Sequence, residues 1–97
     1  MHWMRFAWDA PKNASNQRKH GVSFEEAQTS FADEQGILIA DPDHSEGEDR
    51  FILLGASSAR LLVVCHCYRE SDEVVRIFSA RPANGQERRA YAQRWQP

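Results

Sequence analysis

Residues Leu61–Tyr68 read Leu-Leu-Val-Val-Cys-His-Cys-Tyr and are apolar at both parities. In an extended chain Leu61, Val63, Cys65 and Cys67 share one face, and Leu62, Val64 and Tyr68 share the other. Eight such residues bounded by turn formers make a strand, and a strand apolar on both faces belongs in the middle of a sheet. His66 falls within the second face. The rest of the fold has to be arranged around this segment.

Met4–Trp8 is a short strand, with Met4, Phe6 and Trp8 alternating against Arg5 and Ala7. Asp9 caps a helix over Ala10–His20, with Pro11 in its first turn and Gly21 as its stop. That helix carries almost no apolar stripe, so its docking is expected to rest on Pro11, Ala14 and the stems of long side chains. Ser23 and Glu26 form a capping box opening a second helix, whose apolar face is Phe24, Ala27 and Phe31; Val22 and Ala27 make a weak staple. Gly36–Ala40, Phe51–Gly55 and Val74–Ala80 are further strands, and Asp41–Asp49 is an acidic loop. Ala56–Arg60 and Glu70–Glu73 are turns. Asn84 with Glu87 opens a third helix to about Trp95, with Tyr91 and Trp95 one turn apart on its apolar side. Four successive strands with short links favour an antiparallel meander. The expectation is an α+β fold: a compact antiparallel sheet of about five strands, two helices in the N-terminal half and one C-terminal helix.

The chain has 97 residues, 41% of them apolar, including three Trp and five Phe, which suits a single domain with one modest core. The apolar runs are too short to span a bilayer and no stretch reads as a signal peptide, so a cytoplasmic location without membrane contact is expected. Cys65 and Cys67, two apart on one strand, are expected to stay reduced.

A net charge of −2 conceals a segregation. Residues 32–50 carry seven acids against Arg50, a local charge of −6, which leaves +4 on the remainder. A basic surface beside an acidic segment is compatible with nucleic-acid binding and equally with a mixed solvated surface.

The chemistry-bearing set is Lys19, His20, His66, Arg69, Arg76 and Arg81. Cleaving RNA by its own 2′-hydroxyl needs a base, an acid for the leaving oxygen, and cations for the charge on phosphorus. Arginine suits the last role because its planar fork holds phosphate oxygens bidentately. Arg76 and Arg81 are five apart, which puts them on opposite faces of a regular strand unless the strand ends or bulges before Arg81. The solvated charge and the hydrogen-bonded core histidine remain the plain alternatives. Cys65-His66-Cys67 is no zinc site, since His66 faces away from both thiols. Asp41-Pro42-Asp43-His44-Ser45-Glu46-Gly47 only echoes a calcium loop: its glycine is one position late and Ile52 stands where the closing acid belongs. No nucleophile elbow and no phosphate-cradling glycine loop occurs. No cofactor is expected.

Several stretches together resemble the BrnT toxins, in the family's order and spacing over residues 4–91. They include Phe6-Ala7-Trp8-Asp9, Lys19-His20-Gly21-Val22-Ser23-Phe24-Glu25-Glu26-Ala27, Asp41-Pro42-Asp43-His44-Ser45, Glu48-Asp49-Arg50-Phe51, His66-Cys67-Tyr68-Arg69 and Arg76-Ile77-Phe78-Ser79-Ala80-Arg81. The resemblance implies a RelE-like fold, RNA cleavage, and neutralisation by a BrnA-like antitoxin with a ribbon-helix-helix part, through which alone the chain would reach DNA. It departs where Ala59 replaces a glycine and Cys67 a threonine. The resulting expectation is a metal-independent endoribonuclease of a type II toxin–antitoxin system. Arg69, Arg76 and Arg81 hold the phosphate, His66 or His20 moves a proton, and Lys19 with His20 binds the RNA. The alternative is a non-catalytic partner-binding module acting in transcriptional autoregulation, which the acidic overall charge favours.

Overall fold

The doubly apolar segment does form the middle strand. In the computed structural model, which describes residues 4–41 and 48–94, the chain runs β1 (Arg5–Ala7), α1 (Ala10–His20), α2 (Phe24–Thr29), a 3-10 turn (Ser30–Ala32), β2 (Ile37–Ala40), β3 (Phe51–Ala56), β4 (Leu61–Arg69), β5 (Val74–Pro82) and α3 (Gly85–Gln93). The sheet order is β1-β5-β4-β3-β2, with β4 third of five. The fold is α+β, with two helices in the N-terminal half and one C-terminal. β2 to β5 form the expected antiparallel meander. The sheet as a whole is mixed, because β1 joins β5 in parallel. No tight turn links those two strands, so nothing in the local sequence sets their relative direction. Most of the acidic loop, and Trp95 of the third helix, lie outside the described residues.

One face of the sheet, here the inner face, carries the core. Leu62 and Val64 of β4, Leu53 of β3, and Val75, Ile77 and Ala80 of β5 meet Val22, Phe24 and Ala27. Phe6, Trp8, Phe31 and Tyr68 pack around them. Gly55 lets the 3-10 turn close onto β3, since a Cβ there would stand 2.9 Å from the Ser30 carbonyl.

Each helix starts as its cap residue dictates. Asp9 accepts from the Lys12 amide, Ser23 from the Glu26 amide, and Asn84 from the Glu87 amide. Gly21 ends α1 in the left-handed region at φ 71°. Asn84 and Glu87 make a complete capping box. Glu26 does not answer Ser23 as the sequence suggested; its carboxylate takes hydrogen bonds from Ser57 and Arg60 instead.

α1 is docked by a device that its composition hid. Asn16, only 7% exposed, donates to the carbonyls of Val22 and Ala80 and accepts from the Ala80 amide. β1 ends at Ala7, opposite Arg76, so the edge of β5 beyond it has no strand partner. The Asn16 carboxamide takes the place of a peptide group there. Asn13 likewise accepts from the Phe24 amide and donates to Glu25. Two asparagines therefore do what the stems of long side chains were expected to do.

α3 has no buried residue. It is tied on by polar contacts: Tyr91 to Asp33 at 2.5 Å, Arg88 to the Ala83 carbonyl, and Glu87 to Arg81. Beside it the outer face of the sheet is apolar, with Ile37, Ile39, Ile52, Leu54 and Val63 lining a cavity of about 230 Å³ that Ala90 closes.

Candidate functional site

The β4–β5 pairing decides which side chains meet. Cys65 pairs with Ser79 and His66 with Ile77, so Phe78 is an extra residue on β5, a β-bulge. A bulge reverses the alternation beyond it. Val75 and Ile77 face the core before it, and Ala80 after it. Arg76 and Arg81, an odd number apart, therefore share the outer face, opposite Cys67 and Val63 respectively. Arg69, two residues beyond Cys67 on β4, belongs to that face as well.

At the Arg69 end of this face the segment entering β3 adds an acid and a third guanidinium. Glu48 pairs with Arg69 at 2.9 Å. A hydrogen bond from the Cys67 thiol, and after it the fields of Arg69, Arg50 and Arg76, hold the Glu48 carboxyl below the ordinary carboxylate range despite some desolvation. Burial, then Glu48 itself, pushes the Cys67 thiol up, so it stays protonated and serves as a donor. The Arg50 guanidinium lies 4.3 Å from the centre of the Phe78 ring. The result is one carboxylate amid three arginines, half open to solvent. Such a cluster attracts a phosphodiester and offers a proton acceptor beside it.

Around the sheet end from Glu48, a groove of about 690 Å³ is walled by Met4, Leu38, Phe51 and Tyr68, with Glu48, Asp49 and Asp72 on its rim. Among the described residues no three His, Cys, Asp or Glu side chains converge to hold a metal ion.

The residues singled out in the sequence fall into four places. Arg69 and Arg76 lie in the cluster. Arg81 is on the same face but four β4 positions further along, about 13 Å away. There its two terminal nitrogens donate to the Glu87 carboxylate, at 2.8 and 2.7 Å. His66 is on the opposite face and fully buried, with ring centroids 4.7 Å from Phe31 and 5.1 Å from Tyr68. Its Nδ1 is 3.1 Å from the Val64 carbonyl, which can only accept, so Nδ1 carries the proton and Nε2 accepts from the Tyr68 hydroxyl. Burial pulls the imidazole pKa down, which keeps it neutral. Lys19 and His20 sit at the end of α1, where Arg60 from the β3–β4 turn binds the Gly21 carbonyl. The length of β4, about 26 Å, separates that turn from Arg69.

Glu48 and Arg50 did not stand out in the sequence, because an acid run reads as a solvated loop. Only the β3–β4 register brings them beside Cys67 and Arg69.

A family model described as the ribonuclease toxin BrnT of type II toxin–antitoxin systems matches residues 8–87, from Trp8 to Glu87. That span contains the whole cluster. No curated protein matches the chain.

Proposed function

The chain belongs to the BrnT family, ribonuclease toxins of type II toxin–antitoxin systems, and from that premise we propose that it cuts RNA at the Glu48–Arg50–Arg69–Arg76 cluster without a metal ion. The observation that carries this reading is the Glu48–Arg69 ion pair, set on the outer face among two further guanidiniums. Arg69 and Arg76 hold the scissile phosphate and neutralise the charge that grows on its oxygens. Glu48 accepts the proton of the adjacent 2′-hydroxyl. The 2′-oxygen bonds to phosphorus, the bond to the 5′-oxygen breaks, and that oxygen leaves with a proton from water. The products are a 2′,3′-cyclic phosphate and a 5′-hydroxyl end.

A carboxylate paired with arginines is a weak base. An incoming phosphodiester competes for the same guanidiniums, and as Glu48 loses them its proton affinity rises. The base is thus strengthened by the substrate it serves. His66, enclosed on the far face, holds Tyr68 rather than the proton in this reading, and Arg81 anchors α3. Lys19 and His20 meet the RNA backbone away from the cut.

In the cell the chain acts in the cytoplasm and arrests growth. A BrnA-like antitoxin with a ribbon-helix-helix part neutralises it and carries it to DNA. Two measurements test the reading. Induction of this chain alone in bacteria is expected to stop growth. The purified chain is expected to cut RNA in excess chelator, and Glu48→Gln is expected to lower the rate about a hundredfold at unchanged folding. Cleavage that vanishes in chelator and returns with magnesium or zinc would overturn the metal-free mechanism. Wild-type cleavage by folded Glu48→Gln would remove Glu48 from it.

A further inference from the structure

We propose that Phe78 is a stacking platform for an unpaired nucleobase beside the scissile phosphate, which makes single-stranded RNA the substrate; the inference rests on the cleavage site proposed above.

Phe78 is the bulged residue of β5. Val75 and Ile77 face the core, so Phe78 follows Arg76 onto the outer face, whereas the register of Ser79–Pro82 would have turned it inward opposite His66. The bulge then keeps Ser79, which pairs with outward Cys65, on that same face, so two consecutive side chains stand there together. Its ring is half-exposed and takes no part in the core. Two cations from distant parts of the chain stand over it: the Arg50 guanidinium at 4.3 Å and the Lys12 ammonium at 5.6 Å from the ring centre. A large aromatic side chain held out of the core, on a sheet face, between two cations, is the arrangement by which sheet proteins stack single-stranded bases and track their phosphates.

Arg50 joins this ring to the cluster. The same guanidinium that lies on Phe78 also depresses the Glu48 carboxyl. A planar guanidinium occupies the area that a nucleobase would cover. When a base takes the ring, Arg50 is released to the phosphate next to it, and Lys12 is placed for the following phosphate. A base inside a duplex has both faces covered by its neighbours and cannot make this exchange.

The test separates stacking from cleavage. A fully 2′-O-methylated oligomer of alternating 2-aminopurine and uridine cannot be cut, and its fluorescence falls when 2-aminopurine stacks on an aromatic ring. Wild-type protein is expected to bind and quench it. Phe78→Leu is expected to bind about five- to a hundredfold more weakly without quenching, and Phe78→Trp to restore both. On cleavable RNA, Phe78→Leu is expected to raise KM with a smaller change in kcat. Equal binding and quenching by a folded Phe78→Leu variant, or cleavage of duplex RNA as fast as of single strands, would overturn the platform. Binding and quenching without any cleavage by the wild type would keep the platform and refute the cleavage site instead.

Discussion

Replacing Asn16 by alanine tests how α1 is held. The Asn16 carboxamide makes three hydrogen bonds, at 2.8 Å to the Val22 carbonyl and at 2.8 and 3.2 Å to the carbonyl and amide of Ala80. At about 1 kcal/mol net for each, their loss costs about 3 kcal/mol. The backbone groups left behind lie next to buried Val22 and Ala80. Where water does not reach them, each adds a further desolvation cost, so about 3–5 kcal/mol is expected. A domain of this size is stable by about 5–15 kcal/mol in all. Urea unfolding followed by tryptophan fluorescence should show the midpoint falling at constant slope, and the melting temperature should drop by at least about 12 °C. Asn16→Leu should fare no better, because it adds apolar volume but satisfies none of the three groups. Asn16→Asp keeps an acceptor for the Ala80 amide yet sets a carboxylate against two carbonyls. It should be most stable at acid pH, where the protonated carboxyl can donate, and lose stability as pH rises through its elevated folded-state pKa. A loss below about 1 kcal/mol for Asn16→Ala would mean that α1 is held by something other than this amide.

Arg69→Ala is expected to reduce RNA cleavage about a hundredfold with little effect on melting, whereas Arg81→Ala should leave cleavage within a few-fold and weaken the attachment of α3, seen as faster amide exchange there; equal losses of cleavage would return Arg81 to the site. Tyr91 has its pKa pushed up to about 12, first by its hydrogen bond to Asp33 and then by burial. Its contribution to holding α3 is therefore complete below the ordinary tyrosine pKa of about 10 and is lost as pH climbs toward about 12, and Asp33→Asn should bring its titration, read by tyrosinate absorbance, back down. Glu26 is lowered mainly by Arg60 and Glu87 mainly by Arg81. Their stabilisation is present above the ordinary carboxylate range and is lost as pH falls through their depressed values, so acid unfolding should begin below about pH 4, and Glu26→Gln should flatten the curve. Glu70, Ser71 and Asp72 in the β4–β5 turn all take positive φ, of 51°, 58° and 69°. Ser71→Gly should therefore raise stability by about 1 kcal/mol in urea titrations.

Much of the fold was legible because local rules and packing agree in it. The doubly apolar run at Leu61–Tyr68 marks β4, and Asp9, Ser23 and Asn84 mark three helix starts. The parts that were not legible depend on partners distant in sequence. Nothing near Arg5–Ala7 says that it will lie parallel to a strand some seventy residues later. Nothing in the polar surface of α1 distinguishes Asn16 from its neighbours until the open edge of β5 is placed beside it. The spacing of Arg76 and Arg81 left two outcomes, a strand that ends or one that bulges. β5 continues to Pro82, so the bulge at Phe78 is what brings the two arginines to one face.

His66 was separable from Arg69 by the same alternation that removed it from Cys65 and Cys67, since residues three apart on a strand face opposite ways. That parity argument bears on the charge as well. A net charge of −2 is ill suited to gripping RNA, and taken alone it favours a module that only binds a partner. The sum is misleading because charges act locally. Of the acids in residues 32–50, Asp33 accepts from the Tyr91 hydroxyl and the Ala56 amide, and Glu48 is paired with Arg69 in the fields of Arg50 and Arg76. A carboxylate inside a cationic cluster lowers the charge total by one while giving the site its proton acceptor. A chain can therefore be acidic overall and still present an RNA with three guanidiniums. The rate loss in Glu48→Gln, which makes the cluster more positive, distinguishes this from simple electrostatic attraction: attraction alone would bind RNA more tightly and cut it no more slowly.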